Sequence, residues 1–364
     1  MFSEIISWEN IYEAYLSASR GKRNRPDVAK FELHLEDELS GLRSELISGC
    51  YQPGSYKNFY IHEPKKRLIS AAPFRDRVVH HALCKVIQPY FERSFVKESY
   101  ANRIGKGNHK ALSAAKLYAS KYPFVVQLDV RQFFPSIDHD ILYKQLAQKI
   151  DDDVVMALIE KILASGVNVQ NKESRMHYFD DDDLFAINRP RGLPIGNLTS
   201  QLWANVYMNP IDHFIKRELH CVAYVRYVDD LLLFAKSKKT LWSWKKAMIE
   251  RFSRLRLLIH DGAHPRPVKE GIPFLGFTIF PSLMRIKRRK GIHFQRQLKK
   301  ALIQYHKNRI DEERIAAKLL GWNNHAAYGD TLGLRKVMFS KLPDNIKNRC
   351  IEILKKNRTN RMNG

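Results

Sequence analysis

Hydrophobic residues recur at helical spacing over much of the first 90 positions. Trp8, Ile11 and Tyr15 fall on one helical face, a second set spans residues 31–46, and a third spans residues 75–88. A basic polar break separates the first two sets. This region is therefore predicted to be mainly helical, apart from a polar, strand-like stretch over residues 51–72.

Farther along the chain, short apolar runs indicate β-strands. Residues 124–128 form a short, mainly apolar run with β-branched residues, and the run stops at Asp129, which is typical of a buried central strand. Two more strand-like runs, 221–227 and 231–235, are joined at Asp229 and Asp230. They predict a hairpin with carboxylates at its tip.

Helical patterns flank these strands. Helices are predicted over about residues 140–150, with Ser136 or Asp138 as the cap, over about 154–163, and over about 198–219, where Pro210 marks a break or a kink. Residues 165–190 have no periodicity. Their run of four aspartates, Asp180–Asp183, predicts a solvated acidic loop.

Composition adds a strong bias of charge. The 364 residues include 62 Lys+Arg against 38 Asp+Glu, which gives a formal net charge of +24. Because 44% of the residues are hydrophobic and 11% are aromatic, the chain can bury a large core, and the charge does not signal disorder. Nucleic acid is therefore the leading partner, and an anionic membrane surface is the alternative.

Targeting and redox signals are weak. No stretch approaches the roughly 20 apolar residues of a membrane-spanning helix, and Glu4 and Glu9 stand where a signal peptide would be basic and then apolar. A cytoplasmic location without a membrane partner is expected. The four cysteines are scattered, which argues against a disulfide framework or a zinc site.

The positive charge is concentrated near the C-terminus. Residues 281–309 contain ten Lys/Arg and no Asp or Glu, and residues 355–364 add four more. The abrupt change in composition after Phe280 indicates a domain boundary.

Asp129 and Asp229 are candidate metal ligands. Two Mg²⁺ ions can activate an attacking 3′-hydroxyl and stabilise the leaving pyrophosphate, which requires carboxylates from separate segments directed at one point. The alternative is that Asp229 and Asp230 form a plain turn. Hairpin turns favour Asn-Gly or Asp-Gly, however, and adjacent like charges repel unless a cation lies between them.

Several blocks resemble motifs of reverse transcriptases, and they occur in that family's order. Tyr227–Asp230 is similar to the YxDD signature, and Leu128–Phe134 is similar to the first palm motif. The other blocks are Arg67–Ile69, Arg75–Arg77, His80–Leu83, Tyr100–Gly107, Gly192–Gly196 and Phe274–Gly276. One block alone is weak evidence, but the ordered set over about residues 60–280 identifies the chain as a member of this family.

Within the family, Leu193–Gln201 is similar to the reverse transcriptases of diversity-generating retroelements. Most reverse transcriptases have Gln-Gly and Ser-Pro in this block, whereas this subgroup has an aliphatic residue before the glycine and Gln after the serine. Ser7–Asn10, Gly21–Arg23 and Trp322–Ala326 also resemble the ends of that subgroup. The resemblance then covers nearly the whole chain.

The resemblance implies an α+β fold shaped as a right-hand polymerase. Fingers would occupy residues 1–122, a palm with an antiparallel sheet would occupy residues 123–280, with part of the fingers inserted, and a short basic helical thumb and tail would occupy residues 281–364. The implied activity is RNA-directed DNA polymerisation with two Mg²⁺ ions, for which Mn²⁺ can substitute.

The resemblance also assigns roles to individual residues. Asp129, Asp229 and Asp230 would be the catalytic carboxylates and metal ligands, with the carbonyl of Val130 as an extra ligand. The implied nucleotide-binding residues are Lys65, Lys66, Arg67, Phe134, Ile195, Gly196 and Gln201, and the implied primer grip is Phe274, Leu275 and Gly276. The implied nucleic-acid-binding residues of the thumb are Arg285, Lys287, Arg288, Arg289, Lys290, Arg296, Lys299 and Lys300.

Some of these assignments have alternatives. The basic trio beginning at Lys65 could be a solvated turn, since basic clusters usually are. Ile195 offers only shape where other family members place Gln, so one polar check on nucleotide geometry is lost and misincorporation should rise. That fits the adenine-directed mutagenesis of the subgroup, although Ile195 could also simply pack the palm helix.

One motif departs from the family pattern. Many reverse transcriptases have a Lys before the primer grip that can act as a general acid, and no Lys falls clearly at that place here. His264, Arg266 or Lys269 could substitute, and the role stays unassigned.

The implied partners are a template-repeat RNA, a DNA or cDNA primer strand, dNTPs and a basic oligomeric accessory protein. Reverse transcriptases of retrons, introns or phage-defence systems are the nearest alternative. A catalytically silent RNA-binding protein is a remote one, since Asp129, Asp229 and Asp230 are all intact.

Overall fold

The computed structural model describes residues 1–62, 66–167, 169, 176–180 and 182–362, with side chains described up to residue 354. The helices are α1 (Phe2–Ile5), α2 (Trp8–Ser19), α3 (Pro26–Leu33), α4 (Leu35–Ile47), α5 (Phe74–Glu92), α6 (Asn108–Lys121), α7 (Phe133–Ser136), α8 (His139–Ala147), α9 (Asp153–Ser165), α10 (Leu198–Arg217), α11 (Lys238–Ser253), α12 (Arg288–His306), α13 (Glu312–Ala326), α14 (Leu332–Ser340) and α15 (Asp344–Met362). The strands are β1 (Lys57–Ile61), β2 (Arg67–Ala71), β3 (Phe124–Asp129), β4 (Tyr224–Tyr227), β5 (Asp230–Ala235), β6 (Arg266–Pro267), β7 (Ile272–Phe274), β8 (Phe277–Ile279) and β9 (Met284–Ile286). Helices and antiparallel strands together confirm the α+β class.

The chain forms two compact units. The first unit comprises residues 1–107, 126–233 and 239–265, and the second comprises residues 108–125, 234–238 and 266–364. The assignment of fingers, palm and thumb to residues 1–122, 123–280 and 281–364 stays a prediction.

Helices α5 and α10 form the centre of the first unit and pack against each other. Helix α5 also packs against α2. Helix α10 also packs against α8, and its apolar side chains, such as Trp203 and Tyr207, are buried. Because α10 continues past Pro210, that residue does not break the helix, and the alternative of a kink stays a prediction. Of the two predicted caps of α8, Ser136 and Asp138, the structure has Asp138, whose Oδ1 accepts a hydrogen bond from the backbone N–H of Ile141 at 3.0 Å.

The sheet of the first unit places β5 between β4 and β3. Strands β4 and β5 are antiparallel, with Tyr227 opposite Asp230, so the predicted hairpin is present. A separate antiparallel pair, β1 and β2, aligns Ile61 with Arg67. In the sheet that contains β3, β4 and β5, the aspartates at the end of β3 and at the start of β5 thus come from segments about 100 residues apart in sequence.

The second unit combines short strands with a helical bundle. The first residues of β3 pair with β6, and β7, β8 and β9 form an antiparallel sheet. Helices α12 to α15 enclose an apolar core that includes Leu298, Ile315, Leu319 and Ile346. Within the part of the chain that the structure describes, no helix has the length and apolar character needed to cross a bilayer.

Candidate active site

The carboxylates of Asp129 and Asp230 lie on the same face of the sheet. Gln127 Nε2 donates a hydrogen bond of 2.9 Å to Asp230 Oδ1 across β3 and β5. Side chains two residues apart on a strand point to the same face, so Asp129 shares the face of Gln127. The structure therefore brings together the end of one predicted strand and the start of another.

Asp229 lies in the turn of the hairpin. Because Tyr227 pairs with Asp230, the two-residue turn is Val228–Asp229, and Asp230 is already the first residue of β5. This corrects the prediction that Asp229 and Asp230 form the tip together. Val228 has a φ of 59°, which is a rare conformation for a β-branched residue. Burial raises the pKa of the adjacent Tyr227 phenol.

The carbonyl of Val130 is directed away from the 258–260 segment, which pairs with this part of the chain. His260 donates its backbone N–H to the Asp129 carbonyl at 3.0 Å, and Arg131 donates its own to the Leu258 carbonyl at 2.7 Å. In an antiparallel bridge of this kind the residue between them, Val130, points its N–H and C=O to the other side. That side of β3 is the one along which β5 runs.

These oxygen donors suit Mg²⁺. Polymerase sites bind Mg²⁺ through one or two carboxylates completed by substrate phosphates and water, and not through an all-protein cage. Among the described residues, no cluster of three or more His, Cys, Asp or Glu side chains forms a metal cage. Asp129 is about half exposed, with His260 Nε2 at 3.9 Å from its Oδ2, so its carboxylate is accessible from solvent.

Two predicted nucleotide-binding segments lie side by side. The backbone N–H of Ser70 on β2 donates to the carbonyl of Ile195 at 3.0 Å. A Cβ on Gly196, whose φ is 126°, would lie 3.3 Å from Ile69 Cγ2, so the two backbones are close enough to favour glycine here. Ile195 itself is partly buried. The strand that begins at Arg67 is thus held against the Gly192–Gly196 block.

The other predicted nucleotide-binding residues lie on several segments around the contact between β2 and the Gly192–Gly196 block. Lys66 and Arg67 are exposed at the end of the β1–β2 hairpin, with Lys66 Nζ 4.3 Å from the centre of the Tyr60 ring. Phe134 is partly buried, and its carbonyl accepts a hydrogen bond of 2.8 Å from Leu193. Gln201 lies partly buried in the first turns of α10. Lys65 lies outside the described residues.

The predicted primer grip is a tight turn in the second unit. Phe274 pairs with Phe277, so the turn is Leu275–Gly276, and both turn residues have positive φ, 44° and 92°. This combination is typical of a type I′ turn. The backbone N–H of Lys287 donates to the Gly276 carbonyl at 3.0 Å, which attaches the turn to the start of α12.

The predicted thumb cations are on or near α12. Arg285 is exposed on β9, and Lys287 is the partly buried residue before the helix. Arg288, Arg289, Lys290, Arg296, Lys299 and Lys300 are exposed along the helix. Phe294 and Leu298 on the same helix are buried in the bundle core. The helix therefore has one apolar face and a broad basic surface.

The prediction of a solvated acidic loop is wrong for Asp182, whereas Asp180 and Asp183 are exposed as predicted. The carboxylate of Asp182 is fully buried and forms ion pairs with Arg189 at 2.6 Å and Arg256 at 3.2 Å. The same two arginines also bind the buried Asp138. Asp182 is thus not solvated; its ion pairs with Arg189 and Arg256 join residues 182–191 to the rest of the first unit.

Sequence reasoning also missed a buried ion pair directly behind the hairpin. Arg226 on β4 and Asp212 on α10 are 1% and 0% exposed, with Arg226 Nη2 at 2.6 Å from Asp212 Oδ2. The available signal was an arginine inside an otherwise apolar strand run, 221–227. A charge at such a position requires a buried partner.

Comparison with known proteins identifies the family. Residues 57–279, more than half of the chain, match the family described as reverse transcriptase (RNA-dependent DNA polymerase). The chain belongs to the reverse transcriptase family. The resemblance seen in the sequence is confirmed at this level, and the matched region contains the carboxylates, the Gly192–Gly196 block and the primer-grip turn.

Two relatives illustrate the breadth of this reverse transcriptase family. The chain is 27% identical to protein YkfC of Escherichia coli over 290 residues, which cover 68% of this chain and 72% of YkfC. It is 24% identical to the group II intron-encoded protein LtrA of Lactococcus lactis over 213 residues, which cover 58% of this chain and 33% of LtrA. The chain thus spans about three quarters of one relative and a third of the other.

Solved structures similar to this reverse transcriptase include an apo telomerase from Candida tropicalis. The TM-score is 0.46 and the identity is 12%, with 70% of this chain and 60% of the telomerase chain covered.

Proposed function

We propose that the protein is an RNA-directed DNA polymerase that extends a DNA or cDNA primer on an RNA template. The observation that carries the proposal is that Asp129 and Asp230 share one face of the sheet, with Asp229 in the adjacent turn. These carboxylates come from two segments of a region that matches the reverse transcriptase family. Separate, rigid strand ends are what a two-metal phosphoryl-transfer site requires.

The proposed metal ligands are Asp129, Asp229, Asp230 and the carbonyl of Val130. When bound, two Mg²⁺ ions, or Mn²⁺ in their place, would supply charge stabilisation to the attacking and leaving oxygens. The β-strand backbone fixes the carboxylates before substrate arrives, so little reorganisation is needed on binding.

The remaining residues would bind and orient the substrates. Lys65, Lys66 and Arg67 would hold the triphosphate, because cationic donors suit phosphate oxygens and arginine can bind them in bidentate fashion. The ring of Phe134 would exclude a ribose 2′-hydroxyl. The incoming nucleotide would lie near Ile195, Gly196 and Gln201, and the primer end near Phe274, Leu275 and Gly276.

Replacement of Asp229 tests the polymerase proposal. Asp229→Asn keeps the side-chain shape and removes the charge, so primer extension on an RNA template should be abolished while RNA binding stays intact. Extension is measured on gels and binding by fluorescence anisotropy. Asp261→Asn is the matched control, because Asp261 is 84% exposed and pairs with Arg131. Undiminished extension by Asp229→Asn would contradict the mechanism.

We further propose that the enzyme belongs to a diversity-generating retroelement and copies a template-repeat RNA with errors at adenine. Supporting residues are the Leu193–Gln201 block and Ile195, which has no polar group for checking the incoming nucleotide. A basic oligomeric accessory protein would be a further partner. The cDNA product would then diversify a target gene.

Sequencing of cDNA tests this subgroup assignment. Wild-type enzyme should misincorporate mainly opposite template adenine, and Ile195→Gln should lower that frequency severalfold because a polar check is restored. Ile249→Gln, at an exposed isoleucine of α11, is the matched control. An error spectrum that is identical in all three proteins would remove Ile195 from the argument.

An intron-type, retron or phage-defence reverse transcriptase is the second candidate. It is favoured by the relatives, since LtrA is described as a group II intron-encoded protein. A near-identical template repeat beside a mutated target gene would support diversification, and its absence would support this second candidate.

A further inference from the structure

Arg226 is a charged residue that is buried almost completely. It lies two positions before the turn of the β4–β5 hairpin. Its side chain is 1% exposed. A buried guanidinium has five N–H donors, and each one needs an acceptor. The structure provides an acceptor for every one of them.

Two of the five donors bind Asp212. Nε donates to Oδ1 at 2.7 Å and Nη2 donates to Oδ2 at 2.6 Å, so the pair is bidentate. The hydroxyl of Tyr224 also donates to Asp212 Oδ1 at 2.6 Å. Burial alone lowers the pKa of Arg226, but the charge and hydrogen bonds of Asp212, together with Tyr224, raise that pKa overall. Asp212 therefore both neutralises and orients the guanidinium.

The other three donors reach three different segments. Nη2 donates to Ser99 Oγ at 2.8 Å, and Nη1 donates to Asn205 Oδ1 at 3.1 Å. The last N–H, also on Nη1, donates to the carbonyl oxygen of Val228 at 3.1 Å. The guanidinium thus links helix α10 and the 98–101 segment to the turn that contains Asp229.

The backbone of Arg226 is fixed as well. Its N–H donates to the Glu98 carbonyl at 2.9 Å, and its carbonyl accepts from the Tyr100 N–H at 3.0 Å. With both the main chain and Asp212 fixed, the guanidinium has little freedom to move. It is a rigid support for the Val228 carbonyl.

The Val228 carbonyl needs such a support. Left-handed φ places the Cβ of an L-residue close to its own carbonyl oxygen, which costs about 1–3 kcal/mol for a residue other than glycine. Val228 adopts this conformation at φ 59° although it is β-branched. Its carbonyl belongs to the peptide group that leads directly into Asp229, so rotation of that peptide would redirect the Asp229 carboxylate.

We propose that Arg226 is a positioning residue: oriented by Asp212, it holds the Val228 carbonyl so that the turn keeps its left-handed conformation and Asp229 stays directed at the reacting phosphate. This rests on the proposed polymerase function. A purely structural Arg226 would affect only folding stability, whereas a positioning residue also affects the turnover of the folded enzyme.

The test is a double-mutant cycle. Arg226→Lys keeps the charge but has three donors in place of five, so the Val228 carbonyl loses its support. We expect kcat for primer extension to fall by about 10- to 100-fold, as for small misplacements of catalytic groups, with KM for template–primer unchanged. In the double variant with Val228→Gly, glycine adopts the positive φ without a Cβ penalty, and kcat should recover about tenfold.

Two further measurements separate positioning from stability. Thermal unfolding should show that Arg226→Lys is destabilised and that Val228→Gly does not restore the melting temperature. Mn²⁺ binding, followed by electron paramagnetic resonance, should weaken in Arg226→Lys and recover in the double variant. Val228→Gly alone supplies the reference for the cycle.

Arg103→Lys is the matched control. Arg103 is also a buried arginine, with Nε at 2.7 Å from Glu92 Oε1 and Nη1 bonded to the Val96 and Ser99 carbonyls, but it does not reach the turn. Its replacement should cost stability and leave kcat within about twofold.

The outcomes are distinguishable. If wild-type protein does not extend a primer on RNA, the proposed function fails. If wild type is active but the double variant shows no recovery of kcat or Mn²⁺ affinity, or Arg103→Lys loses as much kcat as Arg226→Lys, the positioning role is overturned while the polymerase function stands.

Discussion

Arg226 in the first unit and the cations of α12 in the second unit hold positive charge in opposite ways. Arg226 is buried and uses every N–H donor on acceptors from α10, the 98–101 segment and the β4–β5 turn. The exposed side chains of α12, such as Arg296, Lys299 and Lys300, form no ion pair with any acidic residue among those the structure describes. A buried charge with fixed partners provides geometry, whereas exposed charges without partners provide attraction for a polyanion.

This contrast explains how one chain can hold its candidate active site in a fixed geometry and still carry a large positive charge. The carboxylates of Asp138 and Asp182 in the first unit are likewise buried, and Arg189 and Arg256 neutralise them. The uncompensated charge remains available in the second unit, where the α12 surface would grip the phosphates of a template–primer duplex. Such binding is salt-sensitive and mostly independent of sequence.

The largest expected effect comes from removing the partner of Arg226. Asp212→Ala leaves a buried guanidinium without its carboxylate, which should lower the free energy of unfolding by about 3–5 kcal/mol. Urea unfolding measures the change. Glu250→Ala is the control, because Glu250 and Arg254 form a pair in which both side chains are more than 60% exposed, at 71% and 63%, and its loss should cost under about 1 kcal/mol. Equal losses in the two variants would mean that burial does not distinguish these pairs.

A smaller effect is expected on binding when the second unit loses surface charge. Replacing Arg296, Lys299 and Lys300 together by alanine should weaken template–primer binding roughly tenfold at moderate salt and reduce the slope of log affinity against log salt by about 2–3. Fluorescence anisotropy over a salt series measures both. The unfolding free energy should hardly change, since these side chains are exposed.

The control for this experiment removes three exposed lysines of the first unit, Lys144, Lys149 and Lys246. If the duplex is bound through the α12 surface, this control should leave the salt slope nearly unchanged. Equal reductions in both triple variants would show that the net charge matters and its position does not.

The smallest expected effect is a pH dependence of the first unit. Burial lowers the pKa of His80 to about 3 from an ordinary value of 6.5, and its neighbours His81 and Arg77 act in the same direction. The unfolded chain therefore binds a proton that the folded chain does not, so this contribution to stability is present above pH 6.5 and is lost as the pH falls toward 3. Between pH 7.5 and 5.5 the loss should be about 1.4 kcal/mol.

Urea unfolding at the two pH values measures this loss of unfolding free energy. His80→Gln removes the titrating group, so the difference between pH 7.5 and 5.5 should shrink by about the same 1.4 kcal/mol, whatever the variant's overall stability. An unchanged difference would show that His80 is not responsible.

Much of the candidate site was predictable because it follows local patterns. The strand that ends at Asp129 and the two strands around Asp229 were predictable from short apolar runs and a short turn. The Asp138 cap was likewise a local signal, since a helix N-terminus needs an acceptor within three residues. The turn position was missed by one residue, because the pairing of Tyr227 with Asp230, and not the local sequence, decides where β5 begins.

The features that were missed all depend on distant contacts. Asp182 resembled its solvated neighbours in sequence, and only docking against Arg189 and Arg256 buries it. The continuation of α10 past Pro210 is similar: the loss of one helical hydrogen bond is tolerated where packing against α5 and α8 holds the helix.

By itself, the sequence determined the chemistry: which residues carry carboxylates, where the uncompensated charge lies, and to which family the chain belongs. Only the tertiary structure decided which charges are buried and what they hold. The reason is physical. A side chain's charge and its local periodicity are properties of the sequence, but desolvation and the partners that compensate for it exist only after segments such as α10 and β4 have packed together.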